Sequence, residues 1–334
     1  MNKKKKIIYI LFFLSFLLLV ADIVVKKTFS QKKVIVKESY YPGEINALFL
    51  NCLEEYGIKP EWIKEKKLSD KTNDSTFSRY IVTTPNDLSI VEVLISLNDL
   101  FYYDGVVINS KELKMGKDSE LRLFLNDKKI LEAYFKFDPK LSRNGIDFSV
   151  IVDNIEELTE SEVTELLDTP SNIAFSVVPG QNGELLADEI NKHGKDYIIE
   201  LNDDIEDEEY VINEDQHPEK ILKSLSRIFT SFSRTNFILV ENTSDLYNSQ
   251  NFAFIKRNIP SVYLLKKKSE LINLGEREPE ELKSMFRFFC EKPDSSKRVF
   301  VFDVKQFDVV KNEIQKMRKK GNRIISPSKL LLGT

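Results

Sequence analysis

The chain has 334 residues, 42% of them hydrophobic, so it can bury a sizeable core, and its length suggests two domains. Its 49 Lys and Arg residues are balanced by 53 Asp and Glu residues, giving a formal net charge of -4, which argues against a general nucleic-acid-binding surface. The two cysteines, Cys52 and Cys290, and the two histidines, His193 and His217, have no zinc-ligand spacing. The cysteines lie in different predicted domains, and their positions are compatible both with one disulfide between the domains and with two buried thiols.

The N-terminal stretch predicts a membrane anchor. Residues 7–25 form an apolar run interrupted only by Ser15 and Asp22, and a helix that spans a membrane needs about 20 such residues. The preceding "MNKKKK" predicts a cytoplasmic N-terminus, because basic residues flank the cytoplasmic end of a membrane helix. No small-x-small cleavage site surrounds Ala21, so we expect an uncleaved anchor rather than a signal peptide. Residues 1–39 are therefore predicted as the cytoplasmic stub, anchor and tether of a single-pass inner-membrane protein.

Residues 40–142 predict a small α/β domain. Apolar residues recur at helical spacing in "EINALFLNCLEEYGI", where Gly57 ends the helix, and again in "LSIVEVLISLNDLF". Between the two helices "RYIVTTP" has the composition of a strand, and "LRLFLNDKKILEAYFKF" predicts a hairpin that turns at Asn126 and Asp127. This part of the sequence has no Gly-rich phosphate loop, histidine or activated nucleophile, so we predict no catalytic site here.

Residues 146–334 predict a second, larger α/β domain. Seven β-rich segments alternate with amphipathic ones: "DFSVIV", "NIAFSVV", "DYIIEL", "NFILV", "SVYLL", "RVFVF" and "NRIIS". Helix signals between them include a capping box from Thr159 to Glu162 and a proline at a helix start, Pro218. Alternation of this kind predicts a parallel sheet covered by helices. Seven strands favour an incomplete (β/α) barrel, with a doubly wound open sheet as the competing architecture; in both, a functional site lies at the carboxyl ends of the strands.

The second domain resembles the divergent polysaccharide deacetylase family. The resemblance is carried by "SVIVDN" and then by "NIAFSVVPGQNGELLADEINKHGKDYIIEL", with its strand, Pro-Gly turn, helix and Gly before the next strand, and it extends over residues 147–332. It implies a distorted barrel of the polysaccharide-deacetylase type, on a protein that is secreted or anchored outside the inner membrane of a bacterium. It also implies metal-assisted deacetylation, in which imidazole or carboxylate ligands hold a Lewis acid.

The residues that the family uses for this chemistry are replaced in this sequence. The paired aspartates after the first strand correspond to Asp153 and Asn154, and Glu200-Leu201-Asn202 stands where a histidine is expected after the third strand. "ENTSDL" from Glu241 replaces the family's Asn-Asn-His-Met-Gly run, "LLKKKS" replaces its Asp-Ser, and "VFDVKQF" replaces its Gly-His-Pro. Neither histidine of the chain falls at a strand end. The departures predict a deacetylase-like scaffold without catalytic residues or metal ligands.

Polar residues at predicted strand ends remain as candidate ligand-binding residues: Asp153, Asn154, Glu200, Asn202, Glu241, Asn242 and Asp303. A barrel points such residues into one mouth, where they suit a polar ligand such as a glycan. We expect no cofactor, but a divalent cation remains the alternative because calcium takes oxygen ligands of this kind. Four lysines follow predicted strands and can neutralise the acids: Lys266, Lys267, Lys268 and Lys305. The acidic run "NDDIEDEEY" at residues 202–210 is interpreted as a solvated loop, because like charges packed so closely repel.

Three functions from different classes follow. The loss of the histidines favours a membrane-anchored, envelope-facing protein without catalytic activity that binds a glycan or another protein. The first alternative is an active carbohydrate deacetylase or esterase that acts on an envelope polysaccharide, which the resemblance alone supports, since a fold does not fix a function. The second alternative is an architectural subunit of an envelope complex. In each case we expect the membrane as a partner through residues 7–25, no nucleic acid, and both folded domains on the periplasmic or extracytoplasmic side.

Overall fold

The computed structural model describes residues 41–332 apart from 71–74, 103–105, 116, 204, 236, 242–243 and 293–297. The predicted anchor at residues 7–25 lies outside the described residues, and no helix within them has the length and hydropathy needed to cross a membrane. Both cysteines are buried free thiols, so of the two arrangements left open by the sequence, the interdomain disulfide is not formed.

The first domain is a five-stranded sheet with two helices on one face. Its elements are α1 (Pro42–Glu55), β1 (Ile63–Asp70), β2 (Ser75–Pro85), α2 (Ile90–Leu100), β3 (Val106–Lys114), β4 (Asp118–Leu125) and β5 (Lys128–Asp138). The strand order is β1-β2-β5-β4-β3, and the β2–β5 pair is parallel while the others are antiparallel. The predicted hairpin is confirmed: β4 and β5 are joined at Asn126 and Asp127, which both have positive φ, as a tight hairpin turn requires.

The core of the first domain lies between its helices and its sheet. Phe49 of α1 is fully buried, and its ring packs 5.1 Å from that of Tyr80 and 6.4 Å from that of Phe135, measured between centroids. Each such buried ring contributes about 1.5–3 kcal/mol relative to an exposed one. The domain therefore has a hydrophobic core of its own.

The second domain is a parallel sheet with helices outside it. Its strands are β6 (Asp147–Asp153), β7 (Ala174–Val177), β8 (Asp196–Leu201), β9 (Phe237–Val240), β10 (Leu264–Lys267), β11 (Ile272–Asn273), β12 (Arg298–Asp303) and β13 (Arg323–Ile324). Its helices are α3 (Glu160–Leu167), α4 (Gln181–Lys192), α5 (Pro218–Ser231), α6 (Asp245–Asn248), α7 (Gln250–Asn258), α8 (Pro279–Glu291), α9 (Val304–Lys319) and α10 (Pro327–Leu332). Strands β7 and β9 are buried along their whole length, which is why they read as unbroken apolar runs.

The strand order identifies an opened barrel rather than a doubly wound sheet. The order is β10-β9-β8-β7-β6-β12-β11, with β13 paired to the start of β6, and every pair is parallel. From β6 to β10, and again from β11 through β12 to β6, the chain always advances in the same direction around the sheet. A doubly wound sheet reverses that direction at its first strand. The barrel is open between β10 and β11.

The strand count of the second domain differs from the predicted seven. The described residues contain eight strands, because the sequence gives no sign of β11, which has only the two residues Ile272 and Asn273. A strand needs about four residues before an apolar run or an alternating pattern can indicate it. The last predicted strand is present as β13, but it pairs with the start of β6 instead of extending the barrel.

The two domains are joined by close backbone packing and by one arginine. The Arg143 guanidinium donates to the Tyr56 carbonyl at 3.1 Å and to the Lys319 carbonyl at 2.7 Å, and it pairs with the Asp87 carboxylate at 2.8 Å. A Cβ atom added at Gly145 would lie 2.0 Å from the carbonyl oxygen of Gly321. The junction therefore tolerates no side chain at Gly145.

Candidate functional site

Three charged side chains meet at the carboxyl ends of the barrel strands, which we call the mouth. Asp153 ends β6, Glu200 lies near the end of β8, and Lys268 directly follows β10. On a flat sheet β10 would be four strand spacings, or about 19 Å, from β6. Lys268 nevertheless forms a salt bridge with Asp153, so the sheet is curled strongly enough to bring the two strands face to face across the mouth.

The side chains form a buried network that we call the ion cluster: Asp153, Ser176, Glu200 and Lys268. The Lys268 ammonium donates to Glu200 Oε1 at 3.0 Å and contacts Asp153 Oδ2. The other Glu200 oxygen, Oε2, accepts a hydrogen bond of 2.5 Å from the Ser176 hydroxyl. Asp153 and Glu200 are each only 3% exposed. A buried carboxylate is costly unless it is paired and hydrogen-bonded, and here one ammonium serves both carboxylates.

The electrostatics of the ion cluster make Glu200 its titrating group. Burial, followed by the negative charge of Asp153, raises the pKa of Glu200 to about 7, against the opposing effects of Lys268 and Ser176. Burial by itself lowers the pKa of Lys268, but the attraction of Glu200 and Asp153 outweighs it and raises that pKa above its ordinary value. Lys268 is therefore cationic wherever the protein is folded at ordinary pH.

Three of the other predicted candidates have different surroundings or partners among the described residues. Asn154 is exposed and has a left-handed backbone with φ of 58°, whereas its neighbour Asp153 is buried. Asp303 caps α9 by accepting a hydrogen bond of 2.8 Å from the Gln306 amide. Glu241 is half-buried after β9, and its amide donates to the Leu201 carbonyl of β8.

The remaining predicted residues divide between the described and undescribed parts. Asn202 is buried, 7% exposed, directly after β8, and Asn242 lies outside the described residues. Of the four lysines, Lys266 pairs with Glu270 at 2.9 Å and Lys305 is exposed. Lys267 contacts the ring of Tyr247, leaving Lys268 as the lysine that enters the ion cluster.

A cavity of about 610 Å³ opens beside the ion cluster, a volume within the range of ligand pockets. It is lined by the Val178–Gly183 turn between β7 and α4, by Leu186, by residues 205–207 after β8, and by Glu156 after β6. Its charged lining residues are carboxylates, Glu156, Glu206 and Asp207, and its amide side chains come from Gln181 and Asn182.

The cavity is the functional feature that the sequence did not indicate. In the sequence, the Pro-Gly turn at residues 179–180 indicates only the family resemblance, and the acidic run at residues 202–210 predicts a solvated loop. The available signal was glycine: a Cβ atom at Gly183 would lie 2.1 Å from the Val178 carbonyl oxygen, so α4 begins in contact with the end of β7. A glycine that permits such an approach marks the wall of a cleft.

The mouth does not fit a catalytic divalent metal. Within the described ranges no three Asp, Glu, His or Cys side chains lie close enough together to hold a metal ion. Of the predicted acids, Asp303 caps α9, and Glu241 is half-buried after β9. Asp153 and Glu200, the two that do meet, already bind the Lys268 ammonium. The positive charge next to Asp153 and Glu200 comes from the Lys268 side chain instead of from a metal ion.

No protein-family model matches this sequence, and no curated protein does. Among solved structures, the Bc1960 peptidoglycan N-acetylglucosamine deacetylase is similar with 12% identity and a TM-score of 0.40, over 56% of this chain and 88% of that one. The wild-type BA3943 of Bacillus anthracis, a CE4 family pseudoenzyme, is similar with 8% identity and a TM-score of 0.38, over 73% of this chain and 95% of that one. An uncharacterised protein of Agrobacterium tumefaciens C58, ATU2773, has 10% identity and a TM-score of 0.37, over 57% and 92%. At such scores these likenesses carry no inference, so the fold rests on the strand order and the site on its own side chains.

Proposed function

We propose that this chain is a membrane-anchored protein of the bacterial cell envelope that has no catalytic activity and binds a glycan at the mouth of its barrel. One observation carries the proposal: the Lys268 ammonium lies between Asp153 and Glu200 and pairs with both carboxylates at the centre of the mouth. Residues 7–25 would hold the protein in the membrane, with both folded domains on the outer side.

The carboxylates of the ion cluster already have partners within the protein, so they do not provide the open ligands and the free base that hydrolysis requires. Metal-assisted deacetylation needs ligands that leave a coordination position open for water, and a base that can reach this water. Both carboxylates of the ion cluster are engaged by Lys268, and Ser176 occupies a further lone pair of Glu200. A ligand at the mouth would therefore meet carboxylates that are already paired with Lys268, and binding would depend on the cavity beside them.

The cavity has the chemistry that a glycan requires. Sugar rings present hydroxyl groups around their edges and apolar C–H groups on their faces. The carboxylates and amides of the lining can bind hydroxyl groups, while Leu186 and Ile205 offer apolar contacts. The volume of about 610 Å³ holds more than one sugar ring.

The test is a titration of the full chain, kept in a non-ionic detergent, with oligosaccharides of N-acetylglucosamine. We expect saturable binding without release of acetate. Gln181→Ala, which removes an amide from the cavity, should weaken binding about five- to tenfold, as expected for one lost hydrogen bond of about 1 kcal/mol or more. Gln250→Ala is the matched control, because Gln250 is also an exposed first residue of a helix but lies outside the cavity. Equal binding by both variants would contradict the proposed site.

Hydrolysis by the same mouth is the competing function, and one observation favours it. With its pKa raised to about 7 by burial and by Asp153, Glu200 can exchange a proton near neutral pH, as a general base must. Acetate released from the same oligosaccharides, and abolished in Glu200→Gln, would establish this activity and overturn the proposal of a protein without catalysis.

A further inference from the structure

A second cavity, which we call the interdomain cleft, lies at the opposite end of the barrel. It has a volume of about 520 Å³ and lies where the first domain meets the amino ends of the strands. Tyr56 and Glu92 line it on the side of the first domain, and Asn172, Arg318 and Lys319 line it on the side of the barrel. A ligand in this cleft would contact both domains.

Of the four cationic side chains that line the interdomain cleft, two are paired with carboxylates and two are not, among the described residues. Arg143 and Arg323 also line it, but each is paired with a carboxylate, Asp87 in one case and Asp147 in the other. Arg318 and Lys319 have no carboxylate within 4.0 Å in the part of the chain that the structure describes. Their polar contacts are neutral: Arg318 donates to Gln315 Oε1 at 3.0 Å, and the Lys319 ammonium lies 5.5 Å from the centre of the Tyr56 ring.

A third cation lies behind Arg318, and the two converge on one buried residue. The Lys195 ammonium donates to the carbonyl oxygens of Thr169 and Ser171, the latter at 2.7 Å. Arg318 donates to the hydroxyl of the same serine, which is 2% exposed, at 3.4 Å. Burial lowers the pKa of Lys195, and the positive charge of Arg318 lowers it further, whereas Asp168 opposes the shift. The fold thus holds two repelling cations around Ser171 without a bound carboxylate between them.

We propose that the interdomain cleft binds a phosphate-bearing ligand, with Arg318 and Lys319 as charged donors and the Asn172 amide as a neutral one. A guanidinium presents two parallel N–H groups that match two phosphate oxygens, and an ammonium adds a point charge. The cleft is larger than a bare phosphate, so the ligand carries more than the phosphate itself. Its hydroxyl groups would face Glu92, the one carboxylate among the described lining residues.

The experiment titrates phosphate compounds into the full chain, in a non-ionic detergent at low ionic strength, by calorimetry. One arm uses inorganic phosphate alone, and the other uses an oligomer of glycerol phosphate, which presents phosphodiesters. Arg318→Gln combined with Lys319→Gln removes the two unpaired charges. Lys311→Gln is the matched control, because it removes a cation from the same helix, α9, outside the cleft, where Lys311 pairs with the exposed Asp308.

We expect saturable binding by the wild-type chain and by the Lys311 variant, and binding at least about tenfold weaker in the double variant. Stronger binding in the oligomer arm identifies a phosphodiester as the ligand, and equal binding identifies the phosphate group itself; both support the proposal. The ligand should also raise the melting temperature of the wild type and not that of the double variant. Lack of saturation below about 1 mM in both arms, or equal affinity of the double variant, overturns it.

A single substitution keeps the test decisive if the double variant does not fold. Lys319→Gln leaves the contacts of Arg318 with Ser171 and Gln315 in place, so the structure around the serine is retained. It should still weaken binding several-fold, because one of the two charged donors is lost. Full affinity in this variant would mean that the cations at the end of α9 only stabilise the helix terminus.

Discussion

The two ends of the barrel treat charge in opposite ways. At the mouth, Lys268 pairs with the buried carboxylates of Asp153 and Glu200, so these charges are engaged inside the protein. In the interdomain cleft, Arg318 and Lys319 are exposed, and among the described residues their direct contacts are with the Ser171 hydroxyl, the Gln315 amide and the Tyr56 ring. Charges that are paired in a buried place serve the fold, whereas charges without an oppositely charged partner in an open cleft are available to a ligand. In (β/α) proteins the ligand binds at the carboxyl ends of the strands. In this protein the charged side chains at that end are already paired with each other, and the unpaired cations lie at the opposite end.

Removal of the cation from the mouth should have the largest effect. Lys268→Ala leaves two buried carboxylates with no counter-charge, and breaking a buried ion pair in this way costs about 3–5 kcal/mol. We expect a loss of this size in the free energy of unfolding above neutral pH, measured with urea and circular dichroism. Acidification should recover part of it, because Glu200 then binds a proton.

Lys266→Ala is the control for this prediction. Lys266 lies in β10, two residues before Lys268, but it pairs with the exposed Glu270, and exposed pairs contribute about 0–1 kcal/mol. If the two lysine variants unfold alike, the ion cluster contributes nothing to stability, and the contrast between the two ends of the barrel is wrong.

The pH dependence of stability should isolate Glu200. Because the pKa of Glu200 is raised from the ordinary value of 4.5 to about 7, the folded protein holds a proton that the unfolded chain releases between those values. This contribution to stability is complete below pH 4.5 and is lost as the pH rises through about 7. We expect a decrease on the order of 1–3 kcal/mol across this window in the wild type. Glu200→Gln should abolish the decrease, while the exposed Glu165→Gln should retain it.

The shape of the interdomain cleft should depend on the backbone contact at Gly145. Gly145→Ala places a methyl group 2.0 Å from the Gly321 carbonyl oxygen, so the segment that connects the two domains must shift away from the end of α9. We expect a loss of about 1–3 kcal/mol, as for other overpacked positions, and faster proteolysis between the domains. In Gly43→Ala the new methyl group meets nothing within 4 Å inside α1, and it should stabilise the protein by about 0.5–1 kcal/mol. Equal effects in the two variants would show that the junction is loose.

The sequence predicts the elements better than the site, for reasons that particular residues show. Strands such as β7 and β9 are buried on both faces, and the hairpin turn uses Asn126 and Asp127, so local composition suffices to locate them. The role of Lys268 depends on the curl that brings β10 opposite β6, and three adjacent lysines look alike in the sequence. The resemblance pairs Asn154 with Asp153, but Asn154 has a left-handed backbone and is exposed, whereas Asp153 is buried. Asn is one of the few residues that adopt this conformation readily.

Arg318→Gln should have the smallest effect on the free energy of unfolding, and this variant compares the two ends of the barrel most directly. Arg318→Gln also removes a cation, but one that faces Lys195 across Ser171 and has no carboxylate partner among the described residues. Its loss removes a repulsion as well as weak contacts, so the free energy of unfolding should change by no more than about 0.5 kcal/mol. The pKa of Lys195, measured by NMR titration of its side-chain resonances, should rise, because the charge of Arg318 holds it down. A large destabilisation would mean that Arg318 is as firmly integrated into the fold as Lys268. The cation would then be structural, and Lys319 would be the one unpaired cation left among the described lining residues for a ligand to recognise.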